Sequence, residues 1–133
     1  MDNNEAFATI VNHLWNQKVP SFGFDQSCKY RGENGLKCAI GCLITDAEYD
    51  PKMEFKSIKT IIRNYNIPSL NGIDLDMLTD LQNVHDDIIG GECRFSDTTD
   101  GLNDPEIREN FLNNINTLVS SYGITFDMES LHV

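Results

Sequence analysis

What this chain lacks narrows its class before any motif is read. No apolar run approaches the roughly 20 residues needed to cross a bilayer, and the opening Met1-Asp2-Asn3-Asn4-Glu5 has no basic stretch leading into an apolar one. Membrane insertion and export are therefore not expected, and the four Cys are expected as reduced thiols rather than a disulfide framework. Phosphate-loop and dinucleotide-fold glycine patterns are missing, as are the G-x-S-x-G elbow and the H-E-x-x-H zinc helix. Internal repeats and Pro- or Gly-rich linkers are missing too, so 1–133 is expected to form a single globular domain.

Basic residues are scarcest where acids are densest. Residues 1–66 hold eight Lys/Arg and eight Asp/Glu, whereas residues 67–133 hold only Arg94 and Arg108 against thirteen acids and carry the whole net charge of −11. A field of that sign repels nucleic-acid phosphate and anionic membrane surfaces, so no direct nucleic-acid or membrane contact is expected. A basic protein surface would be drawn in instead.

What is present reads mainly as helix. Phe7, Ile10, Val11, Leu14 and Trp15 recur at helical spacing after Asp2 or Asn3 as a cap, and Pro20 stops the run. Asp50-Pro51 opens a second helix burying Phe55, Ile58, Ile61, Ile62 and Tyr65, with Pro68 beyond it. Asp74 caps a third carrying Leu78, Leu81, Val84, His85 and Ile88 inward as far as Gly90-Gly91. An exposed loop over 92–103 precedes a fourth, opened by Asp104-Pro105 and stopped by Gly123. The apolar tail (Ile124, Phe126, Met128, Leu131) is expected to dock. Between the first two helices, Ser27–Arg31 and Leu36–Ala39 flank an Asn34-Gly35 turn and suggest a hairpin. The run Ala39–Ile44 fits a buried strand or a short buried helix. The expected fold class is mainly α (α+β): about four helices packed on a small β-hairpin.

Three groups of side chains invite a chemical reading. Lys52, Lys56, Lys59 and Arg63 fall within about 60° of one another on a continuous helix, a basic ridge suited to an anionic ligand or to pairing with the chain's own acids. Lys29, Arg31 and Lys37 from the hairpin would extend it. Asp76, Asp80 and Asp87, with Asp86 nearby, form an acidic stripe suited to a basic partner or simply to solubility. Cys28, Cys38 and Cys42 with His85 are the possible zinc ligands, although only one closely spaced Cys pair is present where zinc sites usually show two. Cys38 or Cys42 with His85 would be the nucleophile and base of a small enzyme; as packing residues they would be ordinary buried thiols.

The run Cys28-Lys29-Tyr30-Arg31-Gly32, then Gly35-Leu36-Lys37-Cys38-Ala39-Ile40-Gly41-Cys42-Leu43-Ile44, then Asp46, Tyr49, Pro51, Met53 and Glu54, resembles a family of small uncharacterised phage and prophage proteins. Leu81-Gln82 and His85-Asp86 fall where that family carries an L-Q…H-D segment. The resemblance implies a phage-encoded protein of the host cytoplasm. Within it, Tyr30, Arg31, Asp46, Tyr49 and Glu54 are the polar positions to inspect for a ligand site, or for local ion pairing of Arg31 with Asp46 or Glu54. The expectation is an accessory protein, for host takeover or anti-defence, that binds a basic host protein or sequesters an anionic small molecule. No cofactor is expected. A Cys/His enzyme and a zinc-stabilised module are the alternatives, and oligomeric state is not specified by these patterns.

Overall fold

Three of the expected helix starts are capped as their sequences prescribe. The computed structural model describes residues 1–22, 28–90 and 101–132. Helix α1 (Asn3–Gln17) begins where the Asp2 carboxylate accepts the Glu5 N–H, and it buries Phe7, Ile10, Val11 and Leu14. Helix α3 (Leu75–Asn83) is capped by Asp74, and α4 (Pro105–Tyr122) by Asp104 with Pro105 at its first position. Gly123 ends α4 at a φ of 60°, the left-handed conformation that a C-terminal stop requires. Trp15 packs on Phe111 with ring centroids 6.0 Å apart, which ties α1 to α4. The tail docks through buried Ile124 and Leu131, and Phe126 meets Phe7 edge to face. One continuous cluster of buried side chains runs from Ala6 to Leu131.

The hairpin does not form; among the described residues there are only isolated bridges, Phe22 with Cys28 and Arg31 with Lys37. Asn34 and Gly35 do take the positive φ values their turn demands (57° and 76°), inside a 3-10 turn over Glu33–Gly35. The backbone groups that a ladder needs are held elsewhere. Gln17 of α1 accepts the Lys37 N–H and donates to the Lys37 carbonyl, and the Glu54 carboxylate accepts the N–H groups of Tyr30 and Arg31. Side chains thus replace the partner strand. Ser27 and residues 92–100 of the expected loop lie outside the described residues; Gly101–Asn103 form a 3-10 turn. The Ala39–Ile44 run is neither strand nor helix but a series of tight turns, buried except at half-buried Cys42. A Cβ on Gly41 would stand 1.9 Å from the Tyr30 carbonyl oxygen, so only glycine lets the two segments touch.

The second helix is also shorter than expected. Pro51–Met53 is a 3-10 turn, Phe55 has a φ of 67°, and α2 (Ile58–Asn64) starts afresh with Ser57 as its cap. Of the residues assigned to its inward face, Ile58 and Ile61 are buried and Tyr65 half-buried, while Phe55 is 70% exposed and Ile62 40%. Lys52 and Lys56 therefore do not share a helix with Lys59 and Arg63, and the four-residue basic ridge is broken. Helix α3 in turn passes into a π-helical turn over Val84–Ile89, closed by the Gly90 N–H to the His85 carbonyl at 2.9 Å. Pairs related by four residues on α3, such as Asp76 and Asp80, keep their common stripe; the wider turn re-aims His85, Asp86 and Asp87. No helix among the described residues is long and apolar enough to cross a membrane.

Candidate ligand cleft

Tyr30, Arg31, Asp46, Tyr49 and Glu54, the five polar positions singled out in the sequence, meet in one network. Besides the two backbone donors, Glu54 accepts the Tyr49 hydroxyl at 2.6 Å, and Tyr30 donates its own hydroxyl to the Lys56 carbonyl. Arg31 bonds the Ile44 carbonyl, pairs with Asp46 at 2.8 Å and lies 4.5 Å above the Tyr49 ring. Burial, reinforced by the bond to Glu54, pushes the Tyr49 hydroxyl up to about 12, so it stays a donor. Four of the five thus hold one another and the 54–57 connection in place, with Asp46 tethered at the rim.

That connection forms one wall of a cleft of about 390 Å³. Phe55, Lys56, Ser57 and Lys59 line this side; Thr79, Gln82, Asn83 and Asp86 of α3 and the π-turn line the other, with Cys28 and Tyr30 between them. Lys29 sits 3.5 Å from the centre of the Phe55 ring. Among the described residues, Lys56 reaches Tyr65 alone, its ammonium 3.5 Å from the hydroxyl. Among the described residues, no salt bridge joins Lys52, Lys56, Lys59 or Arg63 to Asp76, Asp80 or Asp87; the ion pairs are Arg31–Asp46 and the His85–Asp86 contact. The basic wall is therefore not neutralised by the acidic stripe.

Beneath the cleft lies a chain of hydrogen bonds. The Ser21 N–H donates to His85 Nε2 at 2.8 Å, and His85 Nδ1 is 2.8 Å from Asp86 Oδ1. Gln82 Nε2 donates to the same oxygen at 2.9 Å and to Cys28 Sγ at 3.2 Å, while Gln82 Oε1 accepts the Ile40 N–H. Burial opposes charge on Asp86, but His85, then the Cys28 thiol and Gln82, outweigh it and hold the carboxyl below its usual range. Burial likewise opposes the His85 imidazolium while Asp86 draws its pKa upward. The Ser21 N–H decides the matter on geometry: it needs a lone pair on Nε2, and an imidazolium would set two donors face to face. His85 is the neutral tautomer with its proton on Nδ1, given to Asp86.

This tautomer bears on both chemical alternatives. Among the described residues the thiol in contact with His85 is Cys28, at 3.8 Å from Nδ1, not Cys38 or Cys42. With Nδ1 protonated and Nε2 occupied, His85 has no lone pair for a thiol proton, and contact with Cys38 together with burial pushes the Cys28 pKa up. A nucleophile needs the reverse. Donor atoms of Cys28, His85 and Asp86 lie within 4.8 Å of one another, as a metal set would require. Binding at Nδ1, however, would need the second ring nitrogen to carry the proton, where the Ser21 N–H already points. The donor set does not fit a metal ion. Cys42 turns away to the Ala39 carbonyl at 3.0 Å, and Cys38 accepts the Gly41 N–H at 3.3 Å.

The acids of the second half part company. Asp76 lies on the exposed first turn of α3, Asp80 accepts the Tyr122 hydroxyl, and Asp80 with Asp87 flanks a second groove beside Val84, Ile88 and Leu118. Asp86 belongs to the first cleft. Sequence reasoning found Lys56, Lys59, His85 and Asp86 but missed Phe55, which periodicity counted as core, and Asn83. Ser57, read as the helix cap it is, would have exposed the break. Comparison of the chain with protein-family models, with curated proteins and with solved structures finds no match.

Proposed function

We propose that this chain is a binding protein that sequesters a small anionic ligand in the cleft between α2 and the α3 π-turn. The observation that carries the proposal is the basic wall: Lys56 and Lys59 line a cleft of about 390 Å³ and, among the described residues, no carboxylate is in salt-bridge range of either. That volume is within the range of small-molecule sites, and lysine ammoniums beside the Ser57 hydroxyl suit a phosphate group. The likeness of the Cys28–Glu54 segment to phage and prophage proteins supports a setting in host takeover or anti-defence. There, removing a soluble signal or metabolite from the host cytoplasm needs binding and no catalysis.

Small phosphate compounds, from pyrophosphate to sugar phosphates and nucleotides, test this. At least one is expected to raise the melting temperature with increasing concentration, since a ligand that binds only the folded chain stabilises it. Lys56→Glu combined with Lys59→Glu is expected to abolish the shift, and Asp87→Lys on the far groove to leave it. A panel that moves nothing, or a shift that survives the double reversal, removes the proposal. A second reading has its own support: Asp80 and Asp87 border an apolar-floored groove and lack cationic partners among the described residues, which suits a host protein with a basic surface.

A further inference from the structure

Phe55 is out of place by two measures. The residue is 70% exposed, and its φ of 67° is one that bulky L-residues rarely adopt. Met53 to Lys56 is a type II turn, with Glu54 at φ −60°, ψ 146° and the Lys56 N–H bonded to the Met53 carbonyl. Its third position favours glycine or asparagine. A large ring there is strained and gains little burial, and strain of this kind marks working sites. The ring lines the cleft, and Lys29 lies against it.

On the opposite wall Asp86 is held with unusual care. His85 and Gln82 both bond to Oδ1, and those two are fixed in turn by the Ser21 and Ile40 N–H groups. No hydrogen bond among the described residues ends on Oδ2, nor on the side-chain amide of neighbouring Asn83. The cleft thus offers cations and a flat apolar surface on one side, an ionised acceptor and a free amide on the other. Simple phosphates would use only the first, and a carboxylate facing them would be a handicap.

We infer that the ligand is a nucleoside monophosphate whose base carries an exocyclic amino group: Phe55 stacks on the base, Lys56 and Lys59 hold the phosphate, and Asp86 Oδ2 accepts from the amino group. This rests on the anionic-ligand reading above and narrows it. A mononucleotide suits the volume; amide and carboxylate side chains are the groups that read base edges.

Titration calorimetry of the intact protein with CMP, AMP, UMP, ribose 5-phosphate and pyrophosphate tests it. CMP or AMP is expected to bind at least about ten-fold more tightly than ribose 5-phosphate, the order of one base-on-aromatic stack, and more tightly than UMP, which presents a carbonyl where CMP has its amino group. Phe55→Gly relieves the backbone strain, so it is expected to keep or raise the melting temperature while reducing nucleotide affinity to the ribose 5-phosphate level. Phe55→Tyr is expected to retain binding. Equal affinity for ribose 5-phosphate or pyrophosphate and for nucleotides, or UMP binding as well as CMP, overturns the inference and leaves the anionic-ligand reading standing. No binding by any of the five overturns both.

Discussion

Glu54 accepts three donors from two separate segments: the Tyr30 and Arg31 N–H groups at 2.8 and 3.1 Å and the Tyr49 hydroxyl at 2.6 Å. Among the described residues those N–H groups have no other acceptor, so the carboxylate is what satisfies them away from water. Glu54→Ala is expected to destabilise the fold by about 2–4 kcal/mol, because each orphaned half-buried donor costs roughly 1–3 kcal/mol. Glu54→Gln, which keeps one acceptor oxygen, should lie between that variant and the parent. Urea denaturation midpoints at constant slope measure both. An Ala variant within 0.5 kcal/mol of the parent, about the scatter of ordinary surface substitutions, would show that the network is ornamental. The same residue sets up the cleft: it holds Tyr30 beneath it and starts the turn that lifts Phe55 out of the core.

At the scale of elements, signals confined to one segment were legible and those set by distant groups were not. Asp2, Asp74 and Asp104 cap the helices they precede, because a cap needs only its own first turn. The helix drawn through Pro51 to Tyr65 failed because Glu54 is pulled toward Tyr30 and Arg31, a demand more than twenty residues away in sequence. For the same reason helical spacing shows Lys56 and Lys59 as cations of a ridge rather than of a cleft, and counts Phe55 as core. A link of this kind joins the turn after Ile44 to the 3-10 turn Pro68–Leu70: Glu48 accepts from Thr45 N–H and hydroxyl and from Ser69 N–H and hydroxyl. Partial burial works against its charge, but the Ser69 and Thr45 donors prevail and lower its pKa to about 2. The folded-state pKa is thus below the unfolded value of about 4.3. Its contribution is complete above that unfolded value and is lost as pH falls toward 2. Glu48→Gln should therefore lower the urea midpoint at pH 7 and make little difference near pH 2. A deficit that stays constant across that window would mean the carboxylate charge plays no part.

The whole molecule sets a long-range field against a local one. The net charge is −11 and all of it arises in residues 67–133, yet the proposed anion site draws Lys56 and Lys59 from the neutral first half. Among the described residues Asp46 is the one acid paired with a Lys or Arg, so the acidic half is largely unscreened from within. An anionic ligand must approach through a repulsive field and is attracted only near the lysines. The Debye length shrinks from about 30 Å at 10 mM salt to about 10 Å at 100 mM. Added salt in that range screens the distant acids more than it screens a lysine in contact. The association rate of a small phosphate ligand is therefore expected to rise between those concentrations, the reverse of ordinary steering. A basic protein partner docking on the Asp80–Asp87 groove would be drawn by the whole negative half, and its association rate should fall over the same range. Stopped-flow measurement of the two rates separates the sites by sign rather than by size. A ligand rate that falls as steeply as the partner's would show that the anion meets the lysines before it senses the acids, and that the two halves act as independent surfaces.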